Sequence, residues 1–140
     1  MPATNNSVLA LDVGAKRVGV AVASLEARLP QPLTTLLQGD NFYDDLRQII
    51  EAENVSELVI GLPRGLAGQT TEQTLAIAEF TKHLKEQFEL PIHFQDEAVT
   101  SKQAESELQA RGKTYQKADI DALAATYILE DWFIDHKERI

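Results

Sequence analysis

Val8-Leu9-Ala10-Leu11-Asp12-Val13-Gly14-Ala15-Lys16-Arg17-Val18-Gly19-Val20-Ala21-Val22-Ala23 is the stretch on which the fold turns. Its two arms, Val8 to Val13 and Val18 to Ala23, are short valine-rich apolar runs, and Gly14, Ala15, Lys16 and Arg17 between them read as a tight connection. The segment therefore predicts a β-hairpin. Asp12 stands near the end of the first arm, where side-chain alternation projects a carboxylate from a sheet otherwise occupied by apolar groups. Gly14 leaves room for a backbone or a phosphate to approach. Taken alone, Asp12 suits a turn aspartate ahead of a hairpin as well as it suits a metal or phosphate role.

Outward from the hairpin, Pro32 to Leu37 supplies a third strand, with β-branched Thr34 and Thr35 and a break at Gly39 and Asp40. Phe42, Leu46, Ile49 and Ile50 recur at helical spacing between Asn41 and Glu53. Leu58 to Leu62 forms a strand closed by Pro63, and Gly65 and Gly68 mark the loop beyond it. Ile77, Phe80, Leu84 and Phe88 repeat the helical stripe within Thr71 to Phe88, and Pro91 to Phe94 returns to a strand. Thr100 and Gln103 have the form of a capping box, opening a helix that ends near Gly112. Ala118 to Phe133, rich in Ala, Leu and Ile, is the last helix. Three early strands and two later ones separated by helices predict an α/β sandwich around a mixed sheet.

The chain of 140 residues fits one domain, residues 1–140, long enough to bury a core without a structural staple. The absence of cysteine excludes disulfides, thiolate zinc sites and cysteine nucleophiles, and suits a reducing compartment. No apolar run approaches the ~20 residues of a membrane span, and Met1 to Ser7 lacks the basic and apolar regions of a secretory signal, so a cytoplasmic location is expected. The net charge of −9 counts against a nucleic-acid partner, since such proteins usually carry positive charge to replace condensed counterions. A local basic rim together with bound cations answers that objection.

Other acids fall where chemistry is often found in α/β folds. Asp96 and Glu97 follow the strand Ile92 to Phe94 and precede the Thr100 helix, at a strand end of the kind ligands favour. Solvated loop acids would look the same there. Asp121 lies near the start of the last helix, before small and apolar residues that should pack against the sheet, and Asp119 reads as its cap. Capping and dipole stabilisation account for both of these acids when they are viewed alone. Two strand ends and a helix start can converge in a compact domain, and converging carboxylates repel unless cations join them. Mg²⁺ or Mn²⁺ suits such oxygen donors better than zinc. His83, His93 and His136 are scattered and receive no catalytic role.

The sequence resembles the YqgF/RuvX family, described as Holliday-junction resolvase-like or pre-16S rRNA processing nucleases. The resemblance spans nearly the whole chain. It rests on Leu11-Asp12-Val13-Gly14 with Arg17-Val18-Gly19-Val20-Ala21, on Val59-Ile60-Gly61-Leu62-Pro63, on Asp96-Glu97 followed by Thr100, and on Asp121 with Ala124, Ala125, Ile128 and Leu129. It implies an RNase H-like fold and carries the catalytic, metal-binding acids over to Asp12, Glu97 and Asp121. Two positions depart from the family pattern. Ala98 stands where an arginine is common, and Ala67 where an aspartate is common.

The mechanism this implies is hydrolysis of a phosphodiester by two metals ~3.5–4 Å apart, one activating water and the other stabilising the leaving oxygen. Lys16, Arg17, Arg64, Lys102, Arg111, Lys113 and Lys117 flank the motifs as a nucleic-acid-binding rim, although each alone also suits ordinary surface solubility. By resemblance the substrate is the 5′ end of precursor 16S rRNA, with a four-way DNA junction as the alternative and a homodimer left open. Two other classes compete. Sugar kinases, actin and Hsp70 use a similar Asp-x-Gly hairpin on ATP phosphates, but between two related domains, for which this chain is too short. A non-catalytic nucleic-acid or ribosome-associated module would bind without metal and without cleavage.

Overall fold

The computed structural model describes residues 6–63, 72–97, 106–110, 112 and 117–136. Strands β1 (Ser7–Val13), β2 (Arg17–Ser24) and β3 (Gln31–Leu37) are followed by α1 (Phe42–Ala52), β4 (Val55–Pro63), α2 (Glu72–Gln87) and β5 (Ile92–Glu97). A helical segment, α3 (106–110), and the long α4 (Lys117–Asp135) complete the described elements. The five strands form one sheet in the order β3-β2-β1-β4-β5. β1, β2 and β3 pair antiparallel, whereas β1 with β4 and β4 with β5 pair parallel. This is the mixed sheet the alternation of elements predicts.

Both faces of the central strands are covered, which is why β1 and β2 read as continuous apolar runs rather than alternating ones. Leu9, Leu11, Val18, Val20, Leu58 and Ile60 face α1 and α2, packing on Phe42, Leu46, Ile77, Phe80 and Leu84. Val8, Ala10, Ala21, Ala23 and Val59 face the other way, against Ala125, Ile128, Leu129, Trp132 and Phe133 of α4. Alanine on that side lets α4 lie close to the sheet while its larger side chains fill the gaps. Pro32, which has no N–H to donate, sits on the edge strand β3 beside a register shift between Val20 and Ala21.

Several boundaries shift from the sequence expectation, and three of the shifts bear on the argument. β4 starts at Val55 instead of Leu58, because Ser7 pairs with Val55 and draws the polar start of the segment into the ladder. β5 runs on past Phe94 to Glu97, with Asp96 opposite Leu62 and Glu97 opposite Pro63, so these acids belong to the strand and do not follow it. α4 begins at Lys117, which puts Asp119 inside the first turn, favourably placed for the helix dipole but not as the cap. Thr100 and Gln103 lie outside the described residues. Gly112, with φ 69° beyond the α3 segment, adopts the left-handed conformation of a helix end.

Candidate active site

The alternation along β1 puts Asp12 on the same face as Val8 and Ala10, toward α4. Its partner across the antiparallel ladder is Gly19. An added Cβ on Gly19 would lie 2.0 Å from the backbone oxygen of Asp121 and 2.3 Å from its carbonyl carbon. The early part of α4 therefore rests directly on the β2 backbone, at the residue paired with Asp12. Only a residue without a side chain permits that approach. Sequence reasoning missed this role for Gly19, although a lone glycine inside a valine-rich strand is the kind of signal that marks a close backbone contact.

The result is a pair of acids held together by the fold. Burial, and after it the charge of Asp121, pushes the Asp12 carboxyl up from 3.8 to about 6. On the same face of β2, two residues before Gly19, Arg17 donates from Nε to Asp121 Oδ2 at 2.7 Å. The side chains are 33% and 21% exposed, so water still reaches the contact. Arg17, expected on the phosphate rim, is thus ion-paired inside the carboxylate cluster in this structure.

The remaining candidates distribute as follows. Glu97 is the last residue of β5, and its side chain falls outside the described set. Lys117 opens α4, likewise with its side chain outside that set. Lys16 is exposed in the hairpin turn. Arg64, Lys102, Arg111, Lys113, Ala67 and Ala98 lie outside the described residues. Among the described residues no group of three His, Cys, Asp or Glu is placed to hold a metal, so Asp12 and Asp121 stand as a pair there. The histidines take other work. His93 Nε2 is 2.7 Å from Glu57 Oε1, its ring and that of His136 lie 5.6 Å and 5.2 Å from Trp132, and His83 sits on the exposed face of α2 near Glu79 and Glu86.

A buried glutamine completes the α4 side of the sheet. Gln95, 4% exposed, donates to Asp135 Oδ2 at 2.8 Å and to the backbone oxygen of Asp96 at 3.2 Å, tying β5 to the far end of α4. A separate cleft lined by Val13, Gly14, Gln38, Gln73 and Phe80 opens toward α2. The Asp12–Asp121 pair is on the other face.

The architecture is similar to that of Thermus thermophilus RuvC in complex with a Holliday junction substrate, with a TM-score of 0.53, 14% identity, and coverage of 92% of this chain and 95% of that one. A five-stranded mixed sheet with this strand order and flanking helices defines an RNase H-like protein. The chain belongs to the RuvX family, whose model, described as Holliday junction resolvase, matches residues 6–135. Relatives named "Putative pre-16S rRNA nuclease" include one from Synechocystis sp., 36% identical over 130 residues, covering 90% of this chain and 86% of the relative. Another, from Crocosphaera subtropica, is 39% identical over 131 residues, covering 90% and 91%. The family is one of nucleases.

Proposed function

We propose that this chain is a divalent-metal-dependent nuclease that hydrolyses phosphodiester bonds at the 5′ end of precursor 16S rRNA, acting in the cytoplasm as a single domain. The observation that carries the chemistry is the pairing of Asp12 with Asp121, enforced by the contact of α4 on Gly19. A carboxylate penalised in its charged form by burial and by a second acid suits a cation site, because a divalent ion relieves both penalties at once. The donors are hard oxygens, which favour Mg²⁺ or Mn²⁺. Asp12, Glu97 and Asp121 are the residues that would hold the ion. When bound, such ions supply charge stabilisation and an activated water at a phosphodiester.

The residues themselves do the rest. Strand β1 fixes Asp12 within a paired ladder, so its carboxylate needs little reorganisation to serve as a ligand. Arg17 holds Asp121 by one oxygen. Lys16, Arg64, Lys102, Arg111, Lys113 and Lys117 would steer the phosphate backbone toward the acids.

The choice of RNA rests on the names of the relatives, while the family description and the RuvC structure make a DNA four-way junction the second substrate to try. Incubating the purified protein with precursor 16S rRNA and with a four-way junction, in Mn²⁺ and in EDTA, tests the reading. The expected result is Mn²⁺-dependent cleavage of the RNA precursor. Cleavage of the junction alone would reassign the substrate, full cleavage in EDTA would reject the metal, and binding without cleavage of either would point to a non-catalytic module.

A further inference from the structure

Arg17 is the one described cation inside the carboxylate pair, and its contact is not local: Asp121 lies 104 positions further along the chain. It opens β2 immediately after the hairpin turn, so its side chain is rooted at the sheet end where Asp12 lies. The bond to Asp121 uses Nε alone, and the other guanidinium N–H groups make no hydrogen bond among the described residues. A guanidinium keeps its charge at every working pH. A divalent ion entering the pair would therefore meet a permanent positive charge already seated on one of its ligands.

We propose that Arg17 is the resident counter-cation of the Asp12–Asp121 pair, competing with divalent metal for Asp121 and passing to a substrate phosphate when the metal displaces it. This rests on the metal-nuclease reading above. Arg17 and a metal would draw on the same single negative charge of Asp121, so what Arg17 gives it in the free protein is subtracted from what the metal gains. The partial exposure of both side chains keeps the exchange accessible. A phosphate offers the released guanidinium two oxygens in a geometry matched to its fork, which a single carboxylate oxygen does not. Metal and substrate then assist each other through one side chain, and the assistance is reciprocal.

The test is Mn²⁺ titration of the metal-free protein by calorimetry without nucleic acid, comparing wild type, Arg17→Gln and Arg17→Lys, followed by cleavage kinetics on the RNA precursor. Arg17→Gln should bind Mn²⁺ at least about fivefold more tightly, and it should cleave with a raised KM for RNA while reaching half-maximal rate at a lower Mn²⁺ concentration. Arg17→Lys, which keeps the charge without the fork, should hold Mn²⁺ affinity near the wild-type value and still raise KM. A residue that merely braces the fold would change thermal stability and leave Mn²⁺ affinity untouched. Unchanged or weaker Mn²⁺ binding by Arg17→Gln, or an unchanged KM, would overturn the proposal. Asp12→Asn serves as the control. If the wild type binds no Mn²⁺, or Asp12→Asn binds it equally well, the metal site itself has failed and the role of Arg17 falls with it.

Discussion

At Asp12 the needs of the strand and of the charge pull in opposite directions. β1 keeps the residue in its ladder opposite Gly19, while burial and Asp121 push its carboxyl from 3.8 to about 6. Folding therefore favours the protonated form. The penalty on the ionised form is absent below the unfolded value of 3.8, grows as pH rises through about 6, and is complete above it. Asp12→Asn keeps the shape and removes the charge, so it should stabilise the metal-free protein at pH 8 by about 1–3 kcal/mol. That advantage should vanish near pH 4. Urea unfolding of both proteins in EDTA at the two pH values checks the sign, and a pH-independent difference would mean that the effect does not come from the charge of Asp12. On the proposed reading the same substitution should abolish cleavage and remove most of the thermal stabilisation expected from Mn²⁺ in the wild type, since that gain depends on binding the folded state.

Among the elements, the seating of α4 on β2 decides whether the two acids meet. Gly19→Ala would drive a methyl group into the Asp121 backbone, where no flexible side chain can yield. The helix must lift or the strand must bend. We expect a loss of about 3 kcal/mol, read as a lower urea midpoint at an unchanged slope, together with weakened Mn²⁺ binding. Much of this layer of structure was legible in advance. β1 and β2 declare themselves because they are buried on both faces, and α1 and α2 because each has one apolar stripe. The ends of β4 and β5 were not legible, since Val55-Ser56-Glu57 and Gln95-Asp96-Glu97 are extended by pairing with neighbours and carry no continuous apolar signal. Asp12 stood out as the lone acid of its strand, yet the repulsion it feels from Asp121, and the capture of Asp121 by Arg17, join residues more than a hundred positions apart. No local pattern encodes such distances.

For the whole molecule the question is how a chain of net charge −9 approaches a polyanion. On the proposed reading, divalent ions at the acids would remove the nearest repulsion, so cleavage should require Mg²⁺ or Mn²⁺, cease in EDTA and return when metal is restored in excess. The distant repulsion would then be left to the basic residues. Lys113 precedes α4 in the sequence and Lys117 opens it, the helix that delivers Asp121, so on the proposed reading both would be candidates for phosphate contacts. Each such contact releases about one condensed counterion when nucleic acid binds, so affinity falls with salt by an exponent that counts the contacts. Lys113→Ala with Lys117→Ala should therefore weaken RNA binding and flatten the plot of log affinity against log salt by about 1 to 2 in slope. Fluorescence anisotropy with a labelled precursor fragment across a series of KCl concentrations gives that slope directly. Weaker binding with the wild-type slope would place both lysines outside the interface and trace the loss to the seating of α4, because displaced acids reduce affinity without changing how many counterions leave.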